Sequence, residues 1–149
     1  MRLFSLAGTL LLSVALSLVA GTREQEKAFT DKYKAAMEGK DTATLESFLY
    51  TQGADPAALE FYKMMQSGEA GEKISQIQLV NLTPEDVKKA TTPMDGPTGK
   101  ACLTLKPTKK LVIKVERKDG SGSSSSTSEN FVAEKDGKFV IPVPGPCKP

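Results

Sequence analysis

The chain has 149 residues, with 20 basic and 18 acidic side chains and no histidine. This near balance of charge gives no general reason to expect binding to nucleic acid or to an anionic membrane. The absence of histidine excludes Ser-His-Asp and Cys-His nucleophiles and removes the usual nitrogen ligand of zinc and copper. We therefore expect no metal, no cofactor and no nucleic-acid partner.

The N-terminus has the pattern of an export signal. One arginine precedes an uncharged apolar run over residues 3–20, and small residues follow where a signal peptidase would cut. We predict a signal peptide over residues 1–21 with cleavage after Gly21; cleavage after Ala20 is the near alternative, and an uncleaved anchor is another. The mature chain, residues 22–149, is then a single domain that is periplasmic or extracellular and meets a membrane only during export.

Cys102 and Cys147 are the two cysteines of the chain. An even number of cysteines in an exported chain favours a disulfide over two free thiols. The bridge would close a loop that the chain-entropy model values at about 4 kcal/mol. It would also hold the proline-rich tail, residues 142–149, against the rest of the domain.

Helices are predicted over residues 24–68. In residues 24–38, apolar side chains recur at steps of three and four residues, which is the spacing of one helical face. Asp41 can cap a second helix that ends at Gly53, and Asp55, followed by proline, can cap a third. The aromatic and methionine side chains of this region could line a pocket, but their helical spacing favours core: Phe29, Tyr33, Phe48, Tyr50, Phe61, Tyr62, Met64 and Met65.

An antiparallel sheet is predicted over residues 73–143. Its strands are expected at about 73–82, 100–105, 111–118, 128–134 and 138–143. A short helix runs from residue 83 to 90, and a proline- and glycine-rich loop covers residues 92–99. The serine-rich run 119–127 is predicted to be a flexible connector, and Asp136-Gly137 a two-residue hairpin turn.

The strand over residues 111–118 alternates in hydrophobicity. Leu111, Ile113 and Val115 share one face, and Lys114 and Glu116 share the other. This alternation is typical of an antiparallel sheet that is covered on one side and wet on the other. Helices followed by such a sheet predict an α+β fold with the helices packed on one face.

A cluster of basic side chains lies along the same region: Lys106, Lys109, Lys110, Lys114, Arg117 and Lys118. Such a cluster could bind an anionic partner. We interpret it instead as a solvated strand whose lysines oppose edge-to-edge pairing. No aromatic side chain alternates with these lysines, so the stacking expected of single-strand nucleic-acid binders is missing.

The helical segment over residues 28–36, the step Glu38-Gly39-Lys40-Asp41 and the closing hairpin over residues 131–141 together resemble the nuclear-transport-factor-2-like (cystatin-like cone) superfamily. The resemblance implies a curved antiparallel sheet wrapped around a helix in a cone-like roll, an apolar pocket, and a homodimer in many members. Enzymes of the superfamily use an Asp/His or Asp/Tyr set, and no such set maps onto this chain.

Aromatic side chains could line that pocket, namely Phe29, Tyr33, Phe48 and Tyr62. Our leading hypothesis is an exported, non-enzymatic domain that binds a small apolar molecule or a protein. The first alternative is an enzyme of the isomerase or hydratase kind that uses a buried carboxylate assisted by tyrosine. The second alternative is an interaction module that pairs through a sheet edge or forms dimers.

Overall fold

The computed structural model describes residues 21–148, so the predicted signal peptide, apart from Gly21, lies outside the described residues. The helices are α1 (Arg23–Glu38), α2 (Thr42–Ser47), α3 (Pro56–Glu69) and α4 (Pro84–Thr91). The strands are β1 (Leu49–Tyr50), β2 (Ile74–Asn81), β3 (Met94–Gly96), β4 (Gly99–Leu103), β5 (Lys109–Asp119), β6 (Gly122–Lys135), β7 (Lys138–Pro142) and β8 (Pro144–Pro146). The predicted α+β fold is confirmed.

The start of each helix is set by a local capping side chain. Thr22 accepts a hydrogen bond from the backbone N–H of Gln25, and Thr83 does the same for Asp86; both form capping boxes. Asp41 and Asp55 cap α2 and α3. Each of these side chains accepts from one or two of the backbone N–H groups that have no partner within the helix. Because a cap acts within three residues, a short stretch of sequence was enough to locate the helix starts.

Two sheets form where one was predicted. The larger has the order β1-β7-β6-β5-β2 and is antiparallel except for β1, which runs parallel to β7. The smaller has the order β3-β4-β8. The predicted strand over residues 100–105 was therefore assigned to the wrong sheet: β4 pairs with β3 and with the C-terminal tail.

The core lies between the helices and the inner face of the larger sheet. Leu111, Ile113 and Val115 of β5 point inward and are buried, as their alternation predicted. They join Met37 of α1 and Leu45 of α2 in one apolar cluster. Among residues 21–148, no helix combines the length and the apolar character needed to cross a bilayer.

The prediction that α2 continues to Gly53 is wrong. The helix ends at Ser47, and Leu49 and Tyr50 form β1 instead. The Ile141 N–H donates to the Phe48 carbonyl at 2.8 Å, and the Val143 N–H donates to the Tyr50 carbonyl at 3.2 Å. Pairing with a distant strand outweighs the local helical pattern, because it satisfies backbone groups and buries Leu49.

Two segments predicted as loops are hairpins. Within residues 92–99, β3 turns back onto β4 with Met94 opposite Ala101. The prediction that residues 119–127 form a flexible connector is wrong, because β6 begins at Gly122, opposite Asp119, and its serines from Ser123 onward pair with β5. Serine is a weak strand former, so the ladder with β5 explains the strand better than propensity does.

Candidate functional site

A groove with a volume of about 520 Å³ lies between α3, the β3–β4 hairpin and β8. Residues Glu129 and Asn130 of β6 also border it. Its apolar lining consists of Ala57, Ala58, Phe61, Tyr62 and Met65 of α3, Met94, Pro97 and Ala101 of the hairpin, and Pro144 and Pro146 of β8. We call this surface the apolar groove.

Three large apolar side chains in this groove are exposed to solvent. Phe61 is 52% exposed, and Met65 and Met94 are each 39% exposed. Single exposed apolar residues are ordinary on a protein surface. Three that meet in one concave surface are typical of a binding site, because the surface offers apolar area that only a ligand would cover.

The exposure follows from two adjacent apolar stripes on α3. Ala58 and Tyr62 pack against the core, whereas Phe61, Met64 and Met65 lie toward the neighbouring side of the helix. A helix at the edge of a core can bury only one stripe. The prediction that Phe61, Met64 and Met65 are core residues is therefore wrong, although the width of the apolar arc on α3 was a signal that could have revealed the groove.

Asp55 connects the walls of the groove. Its buried carboxylate accepts hydrogen bonds from the backbone N–H groups of Ala57 and Ala58 at 2.9 and 3.1 Å, and from the Thr98 hydroxyl at 2.6 Å. Its own N–H donates to the Pro144 carbonyl at 2.9 Å. The hydrogen bond from Thr98, followed by those from the backbone, lowers the pKa of Asp55. One residue thereby holds α3, the hairpin turn and β8 together.

Cys102 of β4 and Cys147, just beyond β8, form a disulfide with their Cα atoms 4.9 Å apart. The bridge continues the pairing of β4 with β8, in which Ala101 lies opposite Pro146. The tail over residues 142–149 is thus held against the domain as far as it is described. Since Ala101 and Pro146 also line the apolar groove, the disulfide holds two of its walls together.

A smaller cavity of about 120 Å³ adjoins the groove. Its lining is Tyr33, Tyr62, Met65, Gln66, Glu69, Ser128, Glu129, Asn130 and Ile141, and we call it the polar cavity. Tyr62, Met65, Glu129 and Asn130 line both spaces. Asn130 and Ser128 lie two and four residues before buried Val132, so the alternation of β6 places all three on the inner face.

Burial changes the acidity of three groups around the polar cavity. It raises the pKa of Tyr33 to about 12, with the side-chain amide of Gln66 acting against the rise and the charge of Glu69 adding to it. Burial also raises the pKa of Tyr62. Burial raises the pKa of Glu69, and the Arg117 charge acts against this rise. The phenols therefore stay neutral at physiological pH, and the carboxyl binds protons more readily than an exposed glutamate.

Gln66 is the buried polar side chain of this region, with 7% of its surface exposed. Its Nε2 donates to the Leu45 carbonyl at 3.2 Å, which ties α3 to α2. Its Oε1 is buried and has no hydrogen-bond partner among residues 21–148. A buried acceptor without a partner costs stability, and such groups are uncommon in folded proteins.

Of the four aromatic residues predicted to line a pocket, Tyr33 and Tyr62 border the polar cavity. Phe29 and Phe48 pack edge to face, with ring centroids 5.1 Å apart, and Tyr33 lies 5.3 Å from Phe48. Phe29 and Phe48 also line a separate depression of about 490 Å³ together with Phe139. The structure therefore does not bring the four into one pocket: Tyr33 and Tyr62 border the polar cavity, and Phe29 and Phe48 border this depression.

Three of the six residues in the basic cluster are paired with acids, namely Lys109, Lys110 and Arg117, whereas Lys106, Lys114 and Lys118 form no ion pair with the described residues. The Lys110 Nζ lies 3.0 Å from a carboxylate oxygen of Asp86 in α4 and 3.1 Å from one of Glu129 in β6. These two ion pairs join α4 to the larger sheet. The Thr83 backbone N–H and then Lys110 lower the pKa of Asp86 to about 2. Two further pairs are Lys109 with Glu26 and Arg117 with Glu72. This favours a structural role for these charges over an anion-binding patch.

Within residues 21–148, no group of three or more acidic or cysteine side chains is placed to hold a metal ion. The groove and the polar cavity together can bind and orient a small molecule by apolar contact and hydrogen bonding. Comparison of the chain with protein-family models, with curated proteins and with solved structures finds no match.

Proposed function

We propose that this protein is an exported, non-enzymatic binding domain whose apolar groove takes a small apolar molecule. The observation that carries this proposal is the meeting of Phe61, Met65 and Met94 in one concave surface of about 520 Å³. That volume falls within the range of roughly 300–1,000 Å³ that is typical of small-molecule sites. Covering each of these side chains would contribute on the order of 1 kcal/mol or more to binding.

Export is the second part of the proposal. The disulfide between Cys102 and Cys147 supports maturation in an oxidising compartment, periplasmic or extracellular, because such bonds rarely persist in the cytosol. Cleavage after Gly21 would leave Thr22 as the first residue, and α1 would keep its cap. Intact-mass measurement of the exported protein should give a chain that begins at Thr22; a chain that begins at Met1 would contradict this part.

The groove is tested with N-phenyl-1-naphthylamine, an uncharged apolar dye whose fluorescence rises in apolar sites. We expect the purified protein to bind the dye, and we expect Phe61→Ser and Met65→Ser each to weaken binding about tenfold, because each removes apolar contact area. Met64→Ser is the matched control, since Met64 is 63% exposed on the same helix and does not line the groove. Equal loss in all three variants, or no binding by the parent protein, would refute the proposal.

An isomerase- or hydratase-like enzyme is the second candidate. It is favoured by Glu69, whose carboxyl has a raised pKa beside Tyr33 in the polar cavity. A carboxylate of that kind can remove a proton next to a carbonyl group. Exchange of the α-protons of cyclohexanone in D₂O, followed by NMR, tests this candidate: exchange that Glu69→Gln abolishes would support it, and exchange no faster than in buffer would dispose of it.

The relationship to the nuclear-transport-factor-2-like superfamily and the cone-like roll stay predictions. They are supported by the order of helices before a largely antiparallel sheet. The proposed groove does not depend on them, because its walls include the β3–β4 hairpin and the disulfide-held tail of this chain.

A further inference from the structure

The polar cavity contains two acceptors without partners in the described part of the chain. Gln66 uses its amide N–H on the Leu45 carbonyl, which leaves Oε1 as a buried acceptor that nothing in residues 21–148 satisfies. Glu69, three residues along the same helix, lines the same cavity and forms no ion pair with the described residues. Arg117, whose charge acts on the Glu69 carboxyl, has its Nε 3.0 Å from Glu72 instead.

Other charged groups around the cavity do not reverse this preference for a donor. Glu129 also lines the cavity, and its carboxylate is bound by Lys110 at 3.1 Å. Burial raises the pKa of Tyr33 and of Tyr62, so both phenols stay neutral and add no charge to the cavity. Lys100, the cation that lines the apolar groove, is bound by Asp95 at 2.6 Å. An incoming anionic head would therefore face the charge of Glu69, whereas an incoming cation or neutral donor would not be repelled.

Resting on the function proposed above, we propose that the ligand is amphipathic: its apolar body lies in the apolar groove, and its head, a hydrogen-bond donor, enters the polar cavity at Gln66 and Glu69. An ammonium head suits these two acceptors best, a hydroxyl comes next and a carboxylate is disfavoured. One molecule can reach both spaces because Tyr62, Met65 and Asn130 line both of them. A cavity of about 120 Å³ admits a small head group and excludes a bulky one.

The experiment measures displacement of bound N-phenyl-1-naphthylamine at pH 7.5 by octan-1-amine, octan-1-ol and octanoate. These probes share one chain and differ in the head. We expect the amine to displace the dye at about one tenth of the concentration that the alcohol needs, and octanoate to be weakest. Octanoate acting at the same or a lower concentration than the amine would overturn the proposal.

Two variants test whether the preference for an ammonium head arises in the polar cavity. Glu69→Gln should remove the advantage of the amine over the alcohol and leave the alcohol unchanged, because only the charge is lost. Gln66→Met should weaken the amine and the alcohol together, with the loss of its bond to Leu45 checked by thermal unfolding. Glu60→Gln is the matched control, since Glu60 lies on α3 outside both spaces.

Two outcomes separate this inference from the proposed function. In the first outcome the dye binds and Phe61→Ser weakens its binding, but the three probes displace it equally in the parent protein and in Glu69→Gln. The proposed groove then stands and the inference about the head group fails. If the dye does not bind at all, both fail.

Discussion

Helices α1 and α3 carry similar apolar side chains, and the fold treats them differently. Phe29, Tyr33 and Met37 of α1 are buried, whereas Phe61 and Met64 of α3 are mostly exposed. The difference lies in what each helix meets. The core around α1 contains the apolar inner residues of β5, while α3 borders a cavity at Ser128 and Asn130 of β6.

The change in packing coincides with polar positions on the inner face of β6. Asn130 and Ser128 precede buried Val132 on that face, and both line the polar cavity beside α3. The core end of the molecule buries its apolar side chains, and the groove end leaves Phe61, Met65 and Met94 exposed.

Removing the disulfide should have the largest effect on the groove end. Replacing Cys102 and Cys147 together by serine should lower the free energy of unfolding by about 4 kcal/mol, because the unfolded chain gains the freedom of the opened loop. Urea unfolding measures this change. Retained dye binding by the double variant under native conditions would show that β4 and β8 stay together without the bridge.

Truncating one buried and one exposed apolar side chain compares the packing of the core with that of α3. Leu111→Ala should cost about 3 kcal/mol in unfolding free energy, because it leaves a cavity in a fully buried cluster. Phe61→Ala should change the same quantity by less than about 0.5 kcal/mol, since the side chain is half exposed. Similar losses in both variants would mean that α3 is as well packed as the core.

Substitution of Gly145 in β8 tests the close approach of β8 to the backbone at Gly53. A Cβ atom at this position would collide with the carbonyl oxygen of Gly53, so Gly145→Ala should cost about 1–3 kcal/mol in unfolding free energy and displace β8. Gly68→Ala on α3 is the control, because a Cβ there meets nothing and alanine favours a helix. Equal thermal midpoints for the two variants would contradict the close approach.

The smallest effect concerns Asp86 and the attachment of α4. Its pKa is about 2 in the folded protein and near 3.8 otherwise, so it contributes stability above pH 4 that is lost as the pH falls from about 4 to 2. Asp86→Asn should flatten that part of the stability profile, as measured by urea unfolding at each pH. Dye binding at neutral pH should not change, because Asp86 does not line the groove.

Local chemistry made several elements predictable. Asp136 and Gly137 adopt positive φ angles of 51° and 74°, as a two-residue hairpin turn requires, and β6 joins β7 there. The helix caps and the alternation of apolar residues in β5 can likewise be recognised within a few residues of sequence. The pairing of Cys102 with Cys147 was the single intramolecular disulfide open to two cysteines.

The site was harder to predict because it depends on contacts between distant segments. Tyr33 and Tyr62 were predicted as lining residues, but Gln66 and Glu69 on the same helix as Tyr62 were not. Nothing local distinguishes a buried glutamine from a solvated one. Met94 was placed in a loop, and its position in the groove depends on Asp55 binding Thr98 across 43 residues of sequence.

Local sequence is enough to locate the starts of the helices, the β6–β7 hairpin, the buried face of β5 and the cysteines that can pair, because these depend on backbone capping, period and composition. The end of α2 at Ser47, the strand in the serine run and the exposure of Phe61 depend on the tertiary structure. Each of these follows from a partner far away in the chain, and pairing or burial against such a partner outweighs local preference.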